Sequence, residues 1–146
     1  MLAGTTRLAL GEQHSIILKR DGSVWGTGYN EHGQLGGDDT AERSKFTWMK
    51  VSSAVAVAGG SYHSMVLKQD GSVWTTGRNV CGQLGDGSTT DKNVFEQVVP
   101  RNAQAVAAGY AHSMVLMRDG SVWATGRNDS GPVSYTHLTL PTTPYV

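Results

Sequence analysis

The sequence predicts an all-β fold of stacked, four-stranded antiparallel sheets, and three observations carry that prediction. One phrase is written three times. His14-Ser-Ile-Ile-Leu18, His63-Ser-Met-Val-Leu67 and His112-Ser-Met-Val-Leu116 stand 49 residues apart, and so do Asp21-Gly-Ser-Val-Trp25, Asp70-Gly-Ser-Val-Trp74 and Asp119-Gly-Ser-Val-Trp123. A repeat of this length means one structural unit stacked on copies of itself. Apolar residues within the unit alternate with the period of a strand, and helical periodicity is almost absent. The chain also carries 19 glycines, about twice the usual share, which suits many tight turns between short strands.

The second copy justifies the elements in order. Ala54 to Ala58 reads as a strand ended by Gly59-Gly60. His63 to Lys68 alternates, with His63, Met65 and Leu67 on one face and Ser64, Val66 and Lys68 on the other. Gln69-Asp70-Gly71 predicts a hairpin: a type I turn closed by Gly71 in the left-handed region. Ser72 to Thr76 is the returning strand, ended by Gly77. A long polar loop runs from Arg78 to Asp91, and Phe95 to Val99 supplies a fourth strand before Pro100. Both faces of the His63–Thr76 hairpin carry apolar residues, so both should be covered. Four-stranded sheets buried between neighbours at this interval describe the blades of a β-propeller. A β-solenoid is the alternative, though its repeats are usually much shorter.

Bulk properties narrow the function classes. Twelve basic residues balance twelve acidic ones, leaving no electrostatic footprint for nucleic acid or an anionic membrane. No apolar stretch approaches the ~20 residues that span a bilayer. The N-terminus lacks the charged start and apolar run of a secretory signal. Cys81 stands alone, so no internal disulfide can form and the compartment is left open.

Ala58-Gly-Gly-Ser-Tyr-His-Ser-Met-Val-Leu67, Asp70-Gly-Ser-Val-Trp-Thr-Thr-Gly-Arg-Asn79 and Gly82-Gln-Leu-Gly85 together resemble the regulator of chromosome condensation repeat. The resemblance covers residues 1 to 131, recurs in register, and includes Gly33-Gln-Leu-Gly36 in the first copy. It implies a propeller that typically has seven blades, which at this period needs roughly 340 residues. It also implies a choice among known roles: protein-interaction modules, a guanine-nucleotide exchange factor for a small GTPase, and proteins resembling inhibitors of β-lactamases. Asp-Gly-Ser-Val-Trp is also similar to the Asp-box of sialidases, but no set of acidic and Arg residues makes a sialidase site.

The chain departs from its own pattern at both ends. Register holds through Gly131 and then gives way to Pro132-Val-Ser-Tyr-Thr-His-Leu-Thr-Leu-Pro-Thr-Thr-Pro-Tyr-Val146, which holds three of the four prolines. Val133 to Thr142 resembles a translated sequencing adapter: GTC TCT TAT ACA CAT CTG ACG CTG CCG ACG encodes it and is similar to a transposon-end primer. Residues 132–146 are therefore expected to be read-through, the alternative being a natural Pro-rich, disordered terminus. Met1 aligns with Lys50 and Val99, after the places of Phe46 and Phe95, so the first copy is expected to lack its fourth strand. The domain reading is repeats at 1–49, 50–98 and 99–131 (truncated), about two and a half blades. End blades of such an arc expose faces that a neighbour covers elsewhere. A Trp that buries ~150–250 Å² contributes roughly 4–6 kcal/mol at most, so the chain alone is expected to associate or dissolve poorly.

Candidate chemistry is sparse. His14, His63 and His112 suit metal ligation, but a His-Ser pair repeated in every copy reads better as a hydrogen-bonded pair fixing each blade. Asp21, Asp70 and Asp119 could serve as acids or bases, yet Asp before Gly in a hairpin bonds the backbone two residues on. Asp86-Gly-Ser-Thr-Thr-Asp91 falls short of a calcium loop and reads as a solvated loop, like Gly37 to Glu42 of the first copy. Gly-Gln-Leu-Gly lacks the Lys and helix of a phosphate loop. Cys81 has no paired His and reads as a free thiol without a role. Trp48 lies outside the repeated Trp positions and is expected to pack between blades. No catalytic, metal or cofactor residue is assigned. The functional expectation is a protein-interaction scaffold, with Asn30 to Lys45 and Asn79 to Asn93 as the variable loops that meet a protein partner. Nucleotide exchange and inhibition of a secreted enzyme are the alternatives.

Overall fold

The computed structural model describes residues 4–128. The first sheet is β1 (Thr5–Leu10), β2 (His14–Lys19), β3 (Val24–Gly28) and β4 (Arg43–Trp48). The second is β5 (Ala54–Gly59), β6 (His63–Lys68), β7 (Val73–Gly77) and β8 (Lys92–Val99). The third, within the described residues, is β9 (Ala103–Ala108), β10 (His112–Met117) and β11 (Val122–Gly126). Each is an antiparallel meander in chain order. The first copy therefore has its fourth strand, contrary to the sequence expectation. β4 arises from residues that follow β3 in the same repeat, so nothing ahead of Met1 is needed to supply it. Positions 132–146, with the read-through expectation attached to them, lie outside the described residues.

Local chemistry explains each hairpin. Gly22, Gly71 and Gly120 take φ of 83°, 83° and 87°, a region L side chains avoid. In the second sheet the turn is closed by Gly71 N–H donating to Lys68 O at 3.0 Å and Lys68 N–H donating to Ser72 O at 2.9 Å. The Asp does what its place in the turn requires. Asp70 Oδ1 accepts from Ser72 N–H at 2.9 Å and from Ser72 Oγ at 2.6 Å, and Trp74 Nε1 donates to Ser72 Oγ at 2.9 Å. Asp21 and Asp119 repeat the Asp–Ser arrangement. These serine hydrogen bonds hold all three carboxyls below the usual carboxylate range. Lys19 and Lys68 lie 4.1 Å over the rings of Trp25 and Trp74. Met117 stands at the same place in the third copy and is buried.

The sheets converge at their first strands, β1 against β5 and β5 against β9. The alternation of β2, β6 and β10 then places each core between sheets. Ile16 and Leu18 of the first sheet meet Val66 of the second, with Val24, Met49, Val51 and Ala54 closing the cluster. Met65 and Leu67 of the second meet Val115 and Met117 of the third, with Val73, Val99 and Ala103. Trp48 is not between sheets. It pairs with Trp25, and Trp25 pairs with Ile17, so both rings lie on the side of the first sheet turned away from the second. Trp48 is 46% exposed there, its Nε1 donating to Val51 O.

Candidate functional site

Two kinds of residue stand out: those repeated in every copy and those that differ. Of the repeated polar residues, the His of one copy and the Ser and Thr of the next join sheets. His14 Nε2 lies 3.0 Å from Ser64 Oγ, and Ser64 Oγ donates to Gln34 O at 2.6 Å. The next junction repeats this, with His63 Nε2 at 2.9 Å from Ser113 Oγ and Ser113 Oγ donating to Gln83 O at 2.7 Å. The His–Ser bond thus links one sheet to the next; it does not fix a single blade, as the adjacent letters suggested. Thr76 Oγ1 adds a bond to Gly33 O at 2.8 Å, and Thr125 Oγ1 one to Gly82 O at 2.6 Å. Each Gly-Gln-Leu-Gly loop is therefore clasped by the Ser and Thr of the following sheet. Gly33 is required for that approach, since a Cβ there would meet Lys92 O at 2.5 Å.

The hydrogen-bond order fixes the state of the histidines. A serine hydroxyl has one proton, and Ser64 gives it to Gln34 O, so His14 Nε2 must be the donor. Nδ1 of His14 and of His63 is buried without a partner. Each imidazole sits against a glycine three residues earlier: a Cβ at Gly11 or Gly60 would fall 2.0 Å from the ring. Burial lowers His14 to about 4 and His63 to about 3, and a backbone hydrogen bond to each ring offsets only part of that. Among the described residues no three His, Cys, Asp or Glu side chains group as a metal site.

The long loops are not simply solvated. Asn79 is fully buried and organises its loop: Nδ2 donates to Asp86 Oδ1, Ser88 O and Thr90 O at 3.0–3.1 Å, and Oδ1 accepts from Leu84 N–H at 2.9 Å. Asn30 does the same for the first loop through Asp39, Ala41 and Leu35. Sequence reasoning gave neither Asn a role, although both close the Gly-x-Asn string of the repeat.

The residues that differ collect on one face. In a meander the β1–β2 and β3–β4 connections open to the same side, and backbone bonds tie them: Tyr29 N–H to Gln13 O, Arg78 N–H to Tyr62 O, Arg127 N–H to Ala111 O. At three equivalent positions the copies read Tyr29, Arg78, Arg127; Gln13, Tyr62, Ala111; and Glu12, Ser61, Tyr110. Tyr62 lies 5.7 Å from Tyr29 and 5.1 Å from His32 by ring centroids, and Arg78 sits 5.8 Å over Tyr62. The Tyr29 hydroxyl donates to Glu31, whose carboxylate raises the phenol above its ordinary value. His32 Nδ1 pairs with Asp91 at 3.2 Å. Cys81, in the place of His32, is half-buried between the second and third sheets. The face is thus rich in Tyr and Arg, the residue types that anchor protein contacts.

Comparisons with known proteins agree with this geometry. Two profiles of the regulator of chromosome condensation (RCC1) repeat match, one over residues 6–34, 54–83 and 103–131, the other over 21–67 and 70–116. A comparison with curated protein sequences finds no match. Among solved structures, human WBSCR16 is similar at a TM-score of 0.78 and 22% identity, over 92% of this chain and 37% of that one. Prp20p from Saccharomyces cerevisiae is similar at 0.76 and 25%, over 86% and 31%. Yeast RCC1 (Prp20) bound to Kap60 is similar at 0.73 and 26%, over 86% and 30%. The chain thus spans about a third of the length of these structures, and its sheets are those of an RCC1-type β-propeller.

Proposed function

Because the chain belongs to the regulator of chromosome condensation (RCC1) repeat family, we propose that it is a protein-interaction scaffold whose loop face meets a protein partner, without catalytic chemistry of its own. One observation carries this reading. The repeated polar side chains are consumed in the sheet junctions, hairpin turns and loop interiors, while Tyr29, Tyr62 and Tyr110, each in one copy only, gather on one face with Arg78 and Arg127. A rigid scaffold that presents unlike loops is how such folds acquire specificity. The similar Prp20 structures point the same way, since one is bound to Kap60 and the other is described with its binding to Gsp1p and histones. Exchange of guanine nucleotide on a small GTPase is a narrower reading, supported by family kinship alone, and nucleotide release from candidate GTPases tests it.

The scaffold reading is tested by capture on immobilised protein, comparing Tyr29→Ser with Tyr110→Ser on the loop face against Arg20→Ser with Arg118→Ser at the opposite turns. Partners should be lost with the first pair and kept with the second. The reverse pattern would place the contact on the wrong face and end the proposal.

A further inference from the structure

The two junctions differ at one place on the loop face. Between the first and second sheets, the Tyr62 ring packs against Tyr29 and His32. One repeat later the same three places hold Ala111, Arg78 and Cys81. Among the described residues no ring fills the junction, and a cleft of about 140 Å³ opens there, walled by Tyr62 and Tyr110 and lined by Arg78, Cys81, Ala111 and Arg127. We propose that this cleft receives an aromatic side chain of a partner protein, flanked in the partner by carboxylates. The proposal rests on the scaffold reading and names what that face would recognise.

Shape and charge both select this occupant. The protein supplies its own template, since Tyr62 shows how a phenol seats between two such loops. Centroid distances of 5–6 Å are those of favourable tilted aromatic pairs, and Tyr62 and Tyr110 offer rings at the vacant equivalent. Tyr110 is 59% exposed and Ala111 is buried, so the floor is small and apolar while one wall is accessible. Arg78 Cζ already lies 5.8 Å from the Tyr62 ring centroid, and among the described residues no carboxylate lies within ion-pair distance of its guanidinium. A guanidinium whose face is turned to a ring can still offer its fork of N–H donors to a carboxylate. The Arg78 guanidinium at the rim therefore favours an acidic flank over a basic one.

The probe is a fluorescein-labelled heptapeptide with one tyrosine between two pairs of aspartates, titrated onto the full chain by fluorescence anisotropy. Ala111→Tyr rebuilds the filled junction, and Arg78→Glu reverses the rim. Each should weaken binding about tenfold or more, the loss expected of an anchor contact. Replacing the peptide tyrosine by alanine should do the same, and asparagines for the aspartates should remove the salt dependence. Cys81, the single cysteine, gives a second readout: saturating peptide should slow its alkylation by iodoacetamide. Circular dichroism confirms that Ala111→Tyr folds, and Arg78→Glu stands if it does not. The proposal is overturned if the alanine peptide binds as tightly, if folded Ala111→Tyr binds like the parent, or if alkylation is unslowed. A captured partner that still binds Ala111→Tyr overturns the cleft and leaves the scaffold reading standing.

Discussion

Removing one hydroxyl tests how the sheets are joined. Ser64 is fully buried, and its Oγ is the sole link in the chain from His14 Nε2 to Gln34 O, at 3.0 and 2.6 Å. Ser64→Ala deletes no apolar contact of consequence and leaves two groups stranded. The imidazole N–H and the Gln34 carbonyl each lose a partner in a site water does not reach, at about 1–3 kcal/mol apiece. Some relaxation is expected, so the net cost should be about 2–4 kcal/mol, or about 10 °C in Tm for a domain of this size. Ser15 occupies the same repeated position on the outward side of the first sheet and is only half-buried. Ser15→Ala should therefore cost less than about 0.5 kcal/mol. Urea unfolding followed by Trp fluorescence measures both, with the slope checked for constancy. Equal costs for the two variants would refute the argument that Ser64 joins sheets.

Three further outcomes are expected. His14 and His63 are held at about 4 and about 3, below the ordinary value near 6.5. The unfolded chain therefore binds their protons first, and the stability they carry is complete above about pH 6.5 and lost as pH falls toward 3. Urea midpoints should drop from pH 7 to pH 4, His63→Gln should shed part of that slope, and a flat profile from 7 to 4 would contradict it. Asn79→Ala leaves the loop of residues 80–91 without its organiser. It should cost about 2–3 kcal/mol and abolish hydrogen-exchange protection at Leu84, whose amide bonds Asn79 Oδ1. Met114 and Leu116 are 37% and 36% exposed where their equivalents Met65 and Leu67 are 1% and 4%. Sedimentation velocity on the 146-residue chain should show concentration-dependent association that Met114→Lys with Leu116→Lys reduces; a parent that stays monomeric at every concentration would count against it.

Much of the architecture was legible because its causes are local. A strand alternates with period two, Asp-Gly needs a turn, and both leave their mark within a few residues. Ser72 bonding Asp70 could be read from the letters alone. What was not legible depended on which copy a side chain reaches. His63 and Ser64 are neighbours in sequence but serve opposite junctions, one facing Ser113 and the other His14. A strict repeat gives both partners the same letters, so periodicity cannot say whether a bond is made within a unit or between units. The loop after Asn79 is solvated as its letters suggest, with Gly87 and residues 89–91 exposed, but its organiser was not legible. Polar composition signals solvent when side chains point outward, and here Asn79 turns inward and satisfies the backbone of the loop itself. Trp48 was misplaced because its burial depends on a neighbour for the outward side of the first sheet, which no local pattern encodes. The cleft beside Ala111 was in the sequence all along, as the small residue where Tyr62 stands one repeat earlier, but only the junction geometry gives that difference a volume.

The clasp on each Gly-Gln-Leu-Gly loop has a consequence for synthesis. The loop belongs to one sheet, yet Ser64 and Thr76 that hold the first loop, and Ser113 and Thr125 that hold the second, come from the sheet after. A ribosome delivers the chain N-terminus first. A loop therefore leaves the exit tunnel before the residues that fasten it, and its final shape waits for the next repeat to be translated and to pair. The loop face is finished one repeat behind the growing chain, so a nascent chain halted within a repeat carries formed hairpins and an unfastened last loop.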